Sequence, residues 1–153
     1  ARMKTKHVFI TGGEPLLQEG TIPLMYELAY AGHSAWIETN GSIPISKDYY
    51  RRSWGYCMDV KCPSSGMASK NLYSNLKNLQ SIDEVKFVIG DYNDYLFANG
   101  VVKQYPTMAS IIFSPCFDND GDHNGKELAE WMLQDKLSNV RLGLQIHGYL
   151  GVD

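Results

Sequence analysis

Four short stretches of this sequence combine residue types and spacings that can do chemistry. In Thr11-Gly12-Gly13-Glu14-Pro15, two glycines let the backbone approach a ligand closely, and exposed C=O groups there can accept hydrogen bonds from an ammonium group. Glu14 adds a carboxylate able to make a charge-assisted bond to the same ammonium. The same residues also read as a tight turn whose acidic residue favours the start of the next helix. Glu38-Thr39-Asn40-Gly41 ends on Asn-Gly, a turn signal, yet it sets Glu38 and Thr39 where they can bind a ribose hydroxyl or a polar heterocycle. In Asp59-Val60-Lys61-Cys62-Pro63-Ser64-Ser65-Gly66, the i, i+2 spacing puts Asp59 and Lys61 on one face of an extended strand. They are either a structural ion pair or polar neighbours inside a barrel, where an unpaired charge is costly. Gln145 and His147 repeat that spacing and offer an amide and an imidazole.

Elements of one kind must position all four. Short apolar runs at 7–11, 34–39, 56–61, 84–89, 110–114 and 141–146 are rich in Val, Ile and Phe, or bounded by Gly, Asn and Pro, as buried strands are. Helical stretches lie between them. Pro15 suits the first turn of a helix running towards Ala31, with a break predicted at 21–23 and a stop at Gly32. Leu72, Leu76 and Leu79 form one helical face, and Leu128, Trp131 and Met132 another after Gly125. Residues 91–104 are a further, weaker helix. Strand–helix alternation predicts an α/β fold, a mostly parallel sheet with helices packed outside, open or barrel-shaped. Ligands of such sheets bind at the C-terminal strand ends. The polar or Gly-rich stretches 12–14, 38–41, 61–66, 114–116 and 145–147 all fall there.

Taken in order, these pieces carry a family resemblance. The stretch from Thr11 to Gln18, Glu38-Thr39-Asn40-Gly41, the run from Asp59 to Gly66, Asp83-Glu84-Val85-Lys86-Phe87-Val88-Ile89-Gly90, Ser114-Pro115 and the stretch from Arg141 to His147 span nearly the whole chain. Together they resemble the 7-carboxy-7-deazaguanine synthases of the radical S-adenosylmethionine (SAM) superfamily. The Gly-Gly-Glu motif alone carries only the superfamily; the third and last stretches narrow it. The resemblance implies an incomplete (βα) barrel of mostly parallel strands, a single domain over 1–153. It also implies a SAM-, [4Fe–4S]- and Mg2+-dependent rearrangement of 6-carboxy-5,6,7,8-tetrahydropterin towards queuosine or archaeosine. In that chemistry a 5′-deoxyadenosyl radical abstracts a hydrogen from the pterin, and the ring contracts with loss of ammonia. Carried over by motif, Gly12, Gly13 and Glu14 hold SAM's amino group, and Ser64, Ser65 and Ser114 are candidates for other polar contacts to SAM. Glu38, Thr39, Asn40, Gln145 and His147 line the pterin pocket. An electron donor such as flavodoxin or ferredoxin and a homodimeric full-length parent are implied too.

The family's cluster motif, CxxxCxxC upstream of Gly-Gly-Glu, does not occur here, and Cys57, Cys62 and Cys116 cannot replace it by spacing. The chain is therefore expected to be N-terminally truncated, lacking at least a first βα unit of roughly 30 residues or more, and inactive alone, with no catalytic or metal-binding residue assigned. Three cysteines form no disulfide framework and no zinc-finger pair. The Asp118-Asn119-Asp120-Gly121-Asp122 loop fails as an EF-hand, because its glycine is misplaced and Ala129 stands where the bidentate Glu belongs. A net charge of −3 gives no electrostatic reason for nucleic-acid binding. No apolar run approaches the roughly 20 residues of a membrane span, and a cytoplasmic protein is expected. The competing readings are a glycyl-radical-enzyme activase and a cluster-free binding module.

Overall fold

A computed structural model describes residues 5–47, 53–117, 124–144 and 146. Six strands form one sheet: β1 (His7–Ile10), β2 (Ser34–Thr39), β3 (Trp54–Val60), β4 (Glu84–Ile89), β5 (Ser110–Pro115) and β6 (Val140–Leu142). They lie in the order 1-2-3-4-5-6 and every neighbouring pair is parallel. That order has a consequence. Crossovers between parallel strands are right-handed in nearly all proteins, so strands added always on the same side place every connection on the same face. A doubly wound sheet needs a reversal of strand order, and the described strands show none. Among the described residues the result is an open sheet with one covered face and one free face, an incomplete (βα) barrel.

Side-chain alternation agrees. Ala35 and Ile37 on β2, Val85, Phe87 and Ile89 on β4, and Ile111 and Phe113 on β5 are buried against the helices. Phe87 and Phe113 meet edge-to-face at 5.4 Å in the middle of that core. The residues between them, Trp36 and Glu38, Cys57 and Asp59, Glu84 and Lys86, point to the opposite face and are less buried. Helices α1 (Thr21–Tyr30), α2 (Tyr92–Gln104) and α3 (Gly125–Gln134) pack on β2, β4 and β5 respectively. None of the described helices is long and apolar enough to cross a membrane.

Several boundaries differ from the sequence reading. The break in the first helical stretch falls before Thr21: a 3₁₀ turn at Pro15–Leu17 precedes α1, and Pro23 sits in the first turn of α1, where proline is tolerated. The Leu72–Leu76–Leu79 face is not an α-helix. It is a 3₁₀ stretch, Tyr73–Asn78, without a side-chain cap; the three-residue spacing of Leu76 and Leu79 suits its period, and both are buried. The sixth strand stops at Leu142 instead of running to residue 146. β2 and β3 are joined without a helix among the described residues. That connection is fastened by Asn75, which donates to the carbonyls of Gly41 and Ile43 and accepts from the Ile45 N–H.

Candidate functional site

A cleft of about 210 Å³ opens at the C-terminal ends of β1 to β4. Thr11 and Gly13 come from the loop after β1, Glu38, Thr39 and Asn40 from the end of β2, Cys57, Asp59 and Lys61 from β3 and just beyond it, and Lys86 from β4. The two glycines of the first loop both have positive φ, 96° at Gly12 and 57° at Gly13, and a Cβ at either would meet nothing within 4 Å. The backbone here is therefore left-handed and bare, as a close approach to a ligand requires.

Glu14 holds this loop in place. Its Oε1 accepts from the Leu16 N–H at 3.0 Å and the Thr39 hydroxyl at 2.8 Å, and its Oε2 accepts from the Asn40 N–H at 2.8 Å. Thr39 Oγ1 in turn accepts from the Gly41 N–H at 3.1 Å. One carboxylate thus caps the 3₁₀ turn and ties the Gly-Gly loop to the Glu-Thr-Asn-Gly corner. A carboxylate offers about four acceptor positions. Three are used, and the fourth, on Oε2, remains for an ammonium N–H.

The strand arithmetic for Asp59 and Lys61 holds: Lys61 Nζ lies 2.6 Å from Asp59 Oδ2. The other oxygen, Asp59 Oδ1, is buried and has no hydrogen-bond partner. Asn71 pairs with both backbone groups of Lys61, accepting from its N–H at 2.9 Å and donating to its C=O at 2.8 Å. This holds the chain extended one residue past β3. Cys57, between Glu38 and Glu84 in register, has its thiol pushed up to about 11 by burial and then by those two carboxylates. It stands in the cleft as a neutral S–H.

The serines lie beside the cleft, not in its wall. Ser64 donates its N–H (3.0 Å) and its hydroxyl to Asp94, and the fully buried Asp94 also accepts from the Gly90 N–H at 2.9 Å. Ser65 donates to the Cys62 carbonyl at 2.6 Å. With both hydroxyl protons directed inward, what these exposed serines retain is acceptor capacity, suited to a ribose hydroxyl or an ammonium. Ser114 is buried, and a Cβ at Gly143 would overlap it and Ile112. Gln145 and His147 lie outside the described residues. A second cleft of about 270 Å³, bounded by Asn40, Ser42, Lys61, Met67, Lys70 and Asn71, adjoins the first across Asn40 and Lys61.

Sequence reasoning missed Lys86, Cys57 and Asp94. The first two were within reach, because strict alternation along 84–89 and 54–60 sends them to the face that carries Glu38 and Asp59. Asp94 gave only the signal of an acid in a first helical turn. For an iron–sulfur cluster the residues do not fit. Cys62 belongs to the hydrophobic core, Cys57 lies in the sheet face and Cys116 is exposed. Among the described residues no three His, Cys, Asp or Glu side chains are grouped to hold a metal.

No protein-family model matches the chain. Curated relatives do. The 7-carboxy-7-deazaguanine synthase of Koribacter versatilis is 40% identical over 159 aligned positions, covering 94% of this chain and 68% of that protein. The synthase of Methanospirillum hungatei is 42% identical, with 97% and 60% covered, and that of Chlorobaculum tepidum 37% identical, with 94% and 64% covered. Among solved structures, the crystal structure of QueE from Escherichia coli superposes with a TM-score of 0.70 at 23% identity, over 94% of this chain and 57% of that one, a likeness of fold. The chain thus spans little more than half to two thirds of the length of the proteins it matches. With this sequence similarity across nearly all of its residues, the chain belongs to the 7-carboxy-7-deazaguanine synthase family.

Proposed function

We propose that the chain is the cofactor- and substrate-binding part of a 7-carboxy-7-deazaguanine synthase, a radical SAM lyase acting on 6-carboxy-5,6,7,8-tetrahydropterin. The observation that carries this reading is the Glu14 carboxylate, which unites the bare Gly12–Gly13 backbone and the Glu38-Thr39-Asn40-Gly41 corner at the mouth of one charged cleft. SAM fits the residues present, and when bound it supplies the hydrogen-abstracting species. The chain's own residues bind and orient. The carbonyls of Gly12 and Gly13 and the remaining acceptor position of Glu14 take the three N–H groups of a methionyl ammonium. Ser64 and Ser65, with inward-turned protons, accept from the cofactor's hydroxyls, and Ser114 lies on the same rim. Glu38, Thr39 and Asn40 face the pterin, with Gln145 and His147 as further pocket residues. Cys57, its thiol pushed up to about 11 by burial, stays a neutral thiol at physiological pH and is a poor nucleophile there.

To the same reading belong a [4Fe–4S] cluster, Mg2+, an electron donor such as flavodoxin or ferredoxin, a homodimer of the longer protein and a cytoplasmic location. The cluster and magnesium find no ligand set among the described residues. In a protein of the relatives' length, we assign their ligands to the portion that these residues do not span. The test is anaerobic turnover by a cluster-reconstituted protein of that length, given SAM, a reductant and carboxytetrahydropterin. Mass spectrometry is expected to find 7-carboxy-7-deazaguanine and 5′-deoxyadenosine. A protein that ignores the pterin and raises a glycyl-radical signal on a partner polypeptide overturns the reading in favour of an activase. SAM binding with no cleavage of SAM at all points instead to the binding module.

A further inference from the structure

The cleft of about 270 Å³ bounded by Asn40, Ser42, Lys61, Met67, Lys70 and Asn71 takes no part in the proposed function. Its walls are pinned by hydrogen bonds that use up their acceptors. Asn71 Oδ1 accepts from the Lys61 N–H, and its amide donates to the Lys61 C=O and, at 3.3 Å, to the Tyr73 hydroxyl. Asn40 Oδ1 accepts from the Ser42 N–H at 2.9 Å. What the lining still offers is a set of donors. They are the ammonium of Lys70, which has no ion pair among the described residues, the ammonium of Lys61, the amide N–H2 of Asn40 and the Ser42 hydroxyl. No carboxylate of the described residues lines this cleft.

Two cations and two neutral donors around one space call for an oxyanion. A carboxylate carries one charge and its acceptor positions lie in a plane, whereas a phosphate group carries about two charges near neutral pH on oxygens set tetrahedrally. Lysine meets phosphate as a point charge and needs no planar match. The volume falls just below the roughly 300–1,000 Å³ of pockets for drug-sized ligands, so the guest is small, and Met67 gives it an apolar wall. We infer that this second cleft is a phosphate site, taking a small phosphomonoester or inorganic phosphate on Lys70, Lys61, Asn40 and Ser42. The site is coupled to the first cleft, because Lys61 lines both. Lys61 Nζ lies 2.6 Å from Asp59 Oδ2, and Asp59 Oδ1 is buried without a partner. A phosphate therefore competes with Asp59 for the Lys61 ammonium. The effect is reciprocal: a donor that satisfies Asp59 in the first cleft tightens phosphate in the second by the factor by which phosphate tightens that donor.

The inference rests on neither the SAM nor the pterin reading, and its test needs neither compound. Calorimetry of the protein at about 0.15 M salt uses two probes, inorganic phosphate and glycerol 3-phosphate, and at least one is expected to bind at millimolar concentration or below. Lys70→Met should weaken that binding about tenfold, the lower end for one charge-assisted bond because Lys70 is exposed. Lys77→Met, at an exposed lysine outside the cleft, should change it by less than about twofold. Lys70→Arg should keep most of the affinity. Asp59→Asn should tighten phosphate about threefold by releasing Lys61, the size of a partly exposed ion pair. Glu38→Gln removes the same charge from the first cleft without releasing Lys61, and should change phosphate by less than about twofold. Tighter binding of glycerol 3-phosphate than of inorganic phosphate identifies a phosphomonoester as the guest; equal or weaker binding identifies the free ion. Equal losses in Lys70→Met and Lys77→Met, or no binding of either probe below about 10 mM, overturn the site. Equal gains in Asp59→Asn and Glu38→Gln overturn the coupling through Lys61.

Discussion

Asp94 should be the most sensitive polar side chain near the cleft. It is fully buried, and its two oxygens accept from the Ser64 N–H, the Ser64 hydroxyl and the Gly90 N–H, joining the loop after β3 to the loop after β4. Asp94→Ala removes the acceptor for all three donors at once. A buried donor left unpaired costs about 1–3 kcal/mol. Ser64 and Gly90 are themselves exposed, so water can reach part of each donor, and the lower end of that range applies. A loss of about 3 kcal/mol follows, a large share of the roughly 5–15 kcal/mol that holds a domain folded. With a urea slope of about 2 kcal/mol/M for a chain of this size, the midpoint of unfolding by circular dichroism should fall by about 1.5 M. Asp94→Asn keeps one acceptor and the shape, but turns an N–H2 towards donors that include the Gly90 N–H, which cannot reverse its role. About half the loss is expected. In a protein of the relatives' length, the loosened 63–66 loop should also weaken SAM binding, by about tenfold on calorimetry, with the unfolding slope unchanged. An Asp94→Ala midpoint within about 0.3 M of the parent would refute the reasoning, since it would mean that water satisfies all three donors.

Glu14→Ala should weaken SAM about tenfold to a hundredfold in the same protein, through loss of one charge-assisted bond. It should also lower this chain's stability by about 1–2 kcal/mol, because the 3₁₀ cap and the strap to Thr39 and Asn40 go with it; unchanged SAM affinity by calorimetry would leave Glu14 a purely structural strap. Alkaline pH should destabilise the fold. Cys62 is raised from 9.0 to about 12, first by burial and then by Asp94, so the unfolded chain releases this proton from pH 9 while the folded one keeps it to about pH 12. Stability is full below pH 9 and should fall by about 1.4 kcal/mol per pH unit through that window, and Cys62→Ala should flatten the decline in urea melts at pH 8 and 10.5; a decline equally steep in the variant would count against it. Phe87→Ala should cost about 3–5 kcal/mol by the same assay, as the loss of a fully buried ring from the middle of the core.

The strands and their order of use were open to reading in the sequence for a plain reason. A strand of a parallel sheet, buried on its helix side, is written as a short apolar run, and the end of each run marks the rim where ligands bind. The runs around β2, β4 and β5 therefore match the structure to within a residue, and Gly13, Glu38, Asp59 and Lys61, singled out by spacing and residue type, lie in the wall of the cleft. What spacing could not show is which polar group meets which. Glu14 bonds Thr39 and Asn40, 25 and 26 residues away, and Ser64 bonds Asp94, 30 residues away. Those pairings exist only because parallel strands bring successive loop ends to one edge. The 3₁₀ stretch Tyr73–Asn78 is likewise tied to distant chain, through the bonds of Asn75 to Gly41, Ile43 and Ile45. Local sequence sets the period of each element and the chemistry at its end. The orphaned Asp59 oxygen and the three hydrogen bonds accepted by the Glu14 carboxylate are properties of the assembled sheet, because they depend on partners supplied, or withheld, by other parts of the chain.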